Sequence, residues 1–135
     1  MSLPLPTLDL PATGTLDQGS VQLNQLKGNL SLSIPNTANV LLNGRVSAFI
    51  CETQVDIEEP AWSGDRDYSI SAGDYVVPPG KEPDEGHFNR VLNLQVKIPK
   101  KALEPFAGKT VYVGYSSIGE SGVPNNSPLI ALAVH

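Results

Sequence analysis

Alternation of apolar and polar residues is the dominant pattern along the chain, and it predicts β-strands. In four segments every second residue is apolar: 30–34, 46–50, 92–98 and 111–115. Three shorter segments carry a weaker version of the pattern: 21–23, 68–70 and 75–77. Side chains point alternately to the two faces of a strand, so this spacing puts one face on a core and the other toward solvent.

Turn residues separate these segments and set the fold class. The 135 residues include 12 Gly and 12 Pro, which oppose long helices. Turn sequences stand at 43–44, 72–74, 78–80 and 123–126. About seven to nine short strands between frequent turns predict an all-β fold, an antiparallel β-sandwich. The one helix candidate is 100–107, where Pro105 limits the helix to a turn or two.

A repeated pattern predicts two equivalent strand–crossover–strand units. Leu-x-Leu-x-Ile-Pro at 30–35 returns as Leu-x-Val-x-Ile-Pro at 94–99, each residue 64 positions after its counterpart. Gly and a basic residue follow at 44–45 and again at 108–109. Proline cannot donate to a sheet ladder, so each first strand should end there. Coincidence among common β patterns is the alternative interpretation.

The inward positions of the alternating segments form the predicted core. Its members are Leu30, Leu32, Ile34, Val46, Ala48, Ile50, Leu94, Val96, Ile98, Val111, Val113 and Leu132. The last segment, 129–134, is apolar throughout, which is typical of a strand covered on both faces or of an interface strand. The whole chain is therefore predicted to be a single sandwich domain over residues 1–135.

Charge is unevenly distributed, and this limits the classes of partner. The net charge is −5, which argues against nucleic acid as a partner. Ten of the 14 acidic residues lie in one stretch with many Pro and Gly residues, 52–87, which we name the acidic segment. Residues 86–135 carry a net +3, including Lys97, Lys100, Lys101 and Lys109. Such opposite charges could bring copies of the module together head to tail or in a homo-oligomer.

The two ends of the sequence resemble a bacterial immunoglobulin-like or fibronectin-III-like repeat module. The resemblance is carried by 3–17 running into 28–35, by the strand 94–99 with its short crossover, and by 108–115 followed by a last strand. It implies a β-sandwich from a surface or secreted protein that spaces, adheres or binds glycans. The acidic segment lies outside the resemblance, as an insertion, and the single Cys51 excludes an internal disulfide.

No sequence pattern indicates an enzyme. The two histidines are His87, in a loop context, and His135. The chain has no Gly-x-Ser-x-Gly, His-Glu-x-x-His or P-loop sequence. We therefore expect a non-catalytic protein in which Cys51 is a buried, inert thiol. No run is apolar and long enough for a membrane span, and 1–6 lacks the features of a signal peptide.

The acidic segment offers one candidate metal site and no required cofactor. Asp65 and Asp67 form an Asp-x-Asp sequence in a predicted turn, and calcium takes oxygen ligands from such carboxylates. No EF-hand pattern follows, and Arg66 could instead pair with an acid. An ordinary solvated loop is the alternative to a calcium site.

The same segment, with Asn89 just after it, contains the residues that could bind a ligand. Trp62 is the only tryptophan, and it stands in a loop context where it could stack on a sugar or anchor a protein. The candidate companions are Asp65, Asp67, Tyr68, Tyr75 and Asn89. The alternative is that Trp62 packs on the core.

Three functions remain open from the sequence. The first is a non-catalytic binding or spacer module of a bacterial surface or secreted protein, acting in adhesion or protein interaction. The second is a carbohydrate-binding module that uses Trp62 and the acidic loops. The third is a phage-structural or intracellular assembly protein. An extracellular or cell-surface location is favoured if the chain belongs to a longer exported protein.

Overall fold

The computed structural model describes residues 5–8, 13–14, 18–26, 28–36, 38, 44–53, 60–64, 68–119 and 124–135. It contains thirteen strands: β1 (Thr7–Leu8), β2 (Thr13–Gly14), β3 (Gln18–Val21), β4 (Asn29–Ser33), β5 (Arg45–Cys51), β6 (Trp62–Ser63), β7 (Ile70–Ser71), β8 (Gly73–Val76), β9 (His87–Arg90), β10 (Gln95–Pro99), β11 (Thr110–Ile118), β12 (Pro124–Asn126) and β13 (Ile130–Val134). The predicted number of strands, seven to nine, is lower than the thirteen that are described. Nine of the thirteen strands have three residues or more.

Two sheets face each other, and a two-stranded hairpin stands beside them. The smaller sheet has the order β1-β4-β10. The larger sheet has the order β2-β3-β13-β11-β5-β6, with β7 also on β5 and β12 also on β11. Strands β8 and β9 pair with each other. The pairing is antiparallel except between β3 and β13, which are parallel, so the prediction of an antiparallel fold misses one pair.

One core lies between the sheets, and all twelve predicted core residues are buried in it. Leu32 and Val96 are neighbours in the smaller sheet, and Ile50 and Val113 are neighbours in the larger sheet. At roughly 1.5–3 kcal/mol for each large apolar side chain, this burial is the main term that offsets chain entropy. Tyr115 is also fully buried, and burial raises the pKa of its phenol to about 12.

The two copies of the repeated pattern pair with each other. In the smaller sheet Leu32 lies opposite Val96, which is its counterpart 64 positions later. In the larger sheet β5 and β11 are antiparallel neighbours as well. Each unit therefore contributes one strand to each sheet, which confirms the strand–crossover–strand interpretation. The second crossover is a single short helix, α1 (Lys100–Leu103), continued by a 3₁₀ turn over Glu104–Phe106.

The last apolar segment differs from its expectation. In β13 the residues Ile130, Leu132 and Val134 are buried, whereas the two alanines between them are half-buried. The strand is thus covered fully on one face. The predicted turn at 123–126 holds β12 instead. Between β12 and β13 the pairing with β11 shifts by one residue, which is the mark of a bulge.

The side chain of Ser127 takes part in the hydrogen bonding at the bulge. Pro128 follows Ser127 in this break, and the Ser127 hydroxyl accepts a hydrogen bond from the Tyr115 N–H at 3.0 Å. The Ser127 N–H donates to the Tyr115 carbonyl at 2.9 Å. Gly114 lies beneath, and a Cβ there would come within 2.9 Å of the Ser127 hydroxyl oxygen. A side chain at 114 would therefore require the Ser127 side chain to shift.

The sandwich has two distinct ends, defined by the register of β4 and β10. At the helix end Pro99 lies opposite Asn29, and α1 follows. At the other end Gln95 lies opposite Ser33. The β8–β9 pair is rooted at this second end, which we name the hairpin end, because β9 finishes at Arg90, shortly before β10 begins.

Candidate functional site

The structure divides the predicted ligand residues into separate groups. Trp62, on β6, is half-buried and packs against the core. Its ring lies 5.9 Å from that of Tyr68, between centroids. A Cβ on Gly64 would come within 3.0 Å of both side chains, so the two aromatics close over this glycine. These contacts agree with the alternative in which Trp62 supports its own loop and the core.

The predicted calcium ligands Asp65 and Asp67 lie outside the described residues. Within the described ranges no group of three or more His, Cys, Asp and Glu side chains could hold a metal ion. No described helix is long and apolar enough to cross a membrane.

Tyr75 and Asn89 both lie on the β8–β9 hairpin, on opposite faces. Tyr75 is in register with Phe88, and Asn89 is in register with Asp74. Neighbouring residues of a strand point to opposite faces, so the Tyr75–Phe88 pair marks one face and the Asp74–Asn89 pair the other. We name the first the aromatic face. Tyr75 and Asn89 therefore do not share a face of the hairpin.

The aromatic face exposes apolar surface to solvent. Tyr75 is 48% exposed and Phe88 is 40% exposed, with ring centroids 5.1 Å apart. Among the described residues all exposed large hydrophobics belong to this hairpin and its root: Tyr75 and Phe88 on the aromatic face, Val76 on the opposite face, Val77 in the connecting turn and Leu92 at the root. Apolar residues scattered singly over a surface are ordinary, but a cluster of them marks an interaction site.

The Tyr75 ring is held in place by the turn of the hairpin. Its hydroxyl donates a hydrogen bond to the Pro83 carbonyl. A Cβ on Gly86 would come within 2.6 Å of the Tyr75 ring, so the ring lies directly on this glycine. A side chain fixed before binding loses less entropy when a partner arrives, which favours affinity.

The root of the hairpin is fixed to the sandwich by hydrogen bonds. The Arg45 guanidinium donates to the Ser69 hydroxyl at 2.9 Å and to the Ser69 carbonyl at 2.7 Å. The buried Ala72 donates its N–H to the Gly44 carbonyl at 3.1 Å. The Arg90 guanidinium donates to the Ala38 carbonyl. The root is therefore anchored, while most residues of β8 and all of β9 are exposed.

Acidic side chains lie on the opposite face of the hairpin and in its connecting turn. Asp74 lies on the opposite face, and Glu82, Asp84 and Glu85 lie in the connecting turn, where all three are exposed. Glu85 pairs with Lys81 at 3.9 Å across exposed surface, a contact of small energetic value. The hairpin thus combines an apolar face with an acidic tip.

A cleft at the hairpin end was not foreseen from the sequence. It has a volume of about 440 Å³ and is open to solvent. Most of its lining is amide and hydroxyl side chains, with no charged group: Thr7, Ser33, Ile34, Pro35, Asn36, Asn93 and Gln95. The Asn36 amide oxygen accepts from the Asn93 N–H at 2.8 Å, which holds Asn93 at a positive φ of 59°. We name it the amide cleft.

Cys51 and His87 are the remaining groups whose chemistry the sequence raised, and neither belongs to the aromatic face or the amide cleft. Cys51 is fully buried at the end of β5, as expected for a free cysteine, and β5 is covered on both faces. His87 is exposed on β9, opposite Val76. Comparison with known protein families, curated proteins and solved structures finds no match, so function must be inferred from these residues alone.

Proposed function

We propose that this chain is a non-catalytic protein-binding module on an immunoglobulin-like sandwich, and that the aromatic face of the β8–β9 hairpin binds the partner. An immunoglobulin-like sandwich divides strands B and E from strands C, F and G. Equating β4 and β10 with B and E, and β5, β11 and β13 with C, F and G, gives the same division. This correspondence supports the topology that the sequence resemblance implies.

One observation carries the proposed function. The described exposed large hydrophobics are concentrated on a hairpin whose root is anchored and whose Tyr75 hydroxyl is bonded to the connecting turn. Tyr75 and Phe88 pack on each other but remain 48% and 40% exposed, so a partner that covered them would remove further apolar surface from water. A protein partner with an apolar contact surface fits this face.

A displayed library of random peptides tests the proposal. Peptides selected on the protein should protect the amides of β8 and β9 from hydrogen exchange. Phe88→Ser should lower their affinity at least about tenfold, because central aromatics dominate such contacts. The matched control is Val76→Ser, which changes an exposed residue on the opposite face of the same hairpin. Equal affinity for the Phe88→Ser variant and the wild type would overturn the proposal.

The amide cleft favours a second candidate function, the binding of a neutral glycan. Sugar hydroxyls pair well with amide and hydroxyl groups, and the cleft supplies both without a charged side chain. On a glycan array, binding by the wild type should be lost in Gln95→Ala and kept in Lys97→Ala, since Lys97 lies outside the lining. An array without signal for the wild type rejects this candidate.

A further inference from the structure

The two ends of the sandwich carry unpaired charges of opposite sign. At the hairpin, Asp74, Glu82 and Asp84 make no ion pair with any described residue. At the helix end, Lys101 and Lys109 are exposed and are likewise unpaired within the part of the chain that is described. Ions left without an internal partner are available for a partner molecule, and opposite charges attract over about a Debye length.

The topology places these charges far apart on one molecule. Strand β10 begins at the hairpin end, where β9 has just finished, and it ends at Pro99, where α1 begins. Lys109 follows the turn at Gly108, whose φ is +81°, and stands directly before β11. The hairpin root and the lysines therefore lie at opposite ends of β10. One copy cannot join them, but two copies in a row can.

We propose that copies of this chain associate head to tail, with the acidic aromatic hairpin of one copy on the lysine-bearing helix end of the next. The inference rests on the proposed function, because it names a second copy as the partner of the same hairpin. The helix end also exposes Pro105 and Ala107, which provide apolar surface for the Tyr75–Phe88 pair.

Charge also selects this arrangement over a two-fold one. In a symmetric dimer through the hairpins, Glu82 and Asp84 of one copy would face the same carboxylates of the other, and like charges repel. A head-to-tail contact pairs carboxylates with lysines. Such a contact uses two different surfaces, so it can repeat and form a row or a ring.

Sedimentation velocity on the full chain, with charge-reversal variants, tests the inference. The wild type should associate with rising concentration at about 50 mM salt and dissociate at about 500 mM, where screening is short-ranged. The double variants Glu82→Lys/Asp84→Lys and Lys101→Glu/Lys109→Glu should each lose at least about tenfold in association constant. Their mixture should regain association, because both junctions between the two variants pair opposite charges, whereas each variant alone brings like charges together.

The matched control is Lys97→Glu, which makes a single lysine-to-glutamate exchange on the exposed face of β10, between the two ends. It should associate as the wild type does, and unchanged melting temperatures show that all variants are folded. A wild type that stays monomeric at low salt, or association unaffected by either double variant, would overturn the inference. If library peptides still lose affinity for Phe88→Ser in that case, the proposed function stands and only the second copy is excluded.

Discussion

At the scale of single residues, polar groups inside the sandwich differ in what they contribute. The Ser127 hydroxyl serves as an acceptor for a backbone N–H at the bulge before Pro128. The Ser116 hydroxyl, one position after Tyr115, is buried with no hydrogen-bond partner among the described residues. The same type of side chain is thus part of the sheet ladder at one position and an uncompensated polar group at the other.

Replacement of these two serines should have opposite consequences. Ser127→Ala leaves the buried Tyr115 N–H without its acceptor, so we expect a loss of about 1–3 kcal/mol in the free energy of unfolding. Ser116→Ala removes a hydroxyl without a partner and should leave stability unchanged or raise it. Urea unfolding of both variants measures the difference. Equal losses would show that Ser127 does not act through this hydrogen bond.

At the scale of the elements, alternation identified the strands well but not where each one begins. The twelve predicted core residues are buried because both sheets contribute to a single core. Leu92 fits the same alternation and is 58% exposed, because β10 begins only at Gln95 after the turn at Asn93. Periodicity describes which face a residue would take within a strand, and it does not show where pairing stops.

The two leucines of this segment allow a direct test. Leu94 is 6% exposed and belongs to the core, so Leu94→Ala should cost about 2–5 kcal/mol in the free energy of unfolding. Leu92→Ala should stay within about 0.5 kcal/mol, because its side chain is mostly in water. Denaturant midpoints at constant slope report both values. A comparable loss at Leu92 would place it in the core after all.

The candidate site was harder to foresee than the fold, for physical reasons. Trp62 and Tyr68 stand in a stretch that looks like a loop, yet their rings contact each other and Trp62 packs against the core. The candidate site formed by Tyr75 and Phe88 depends on the register between β8 and β9. This register places side by side two residues that are distant in sequence. The amide cleft likewise joins Asn36 with Asn93, and no local pattern relates them.

At the scale of the whole molecule, the internal repeat and the charge distribution act on different properties. The repeat builds the sandwich, because its two units pair strand with strand in both sheets. The charges distinguish the two ends that this pairing creates, with acids on the hairpin and lysines beyond Pro99. The two units are therefore similar, but the two ends of the sandwich differ in charge.

The parallel pairing of β3 with β13 determines how the molecule carries tension. Gln18 lies beside Ala131 and Val21 beside Val134, so the free ends of the two strands point in opposite directions. The His135 N–H extends the pair by donating to the Val21 carbonyl at 2.9 Å. A pull between residues 18 and 135 slides the strands along each other and loads these hydrogen bonds together. Residues 18 and 131 lie side by side at one end of the pair, so a pull between them breaks the hydrogen bonds of the pair one after another. A pull between residues 18 and 135 thus loads the β3–β13 pair in shear.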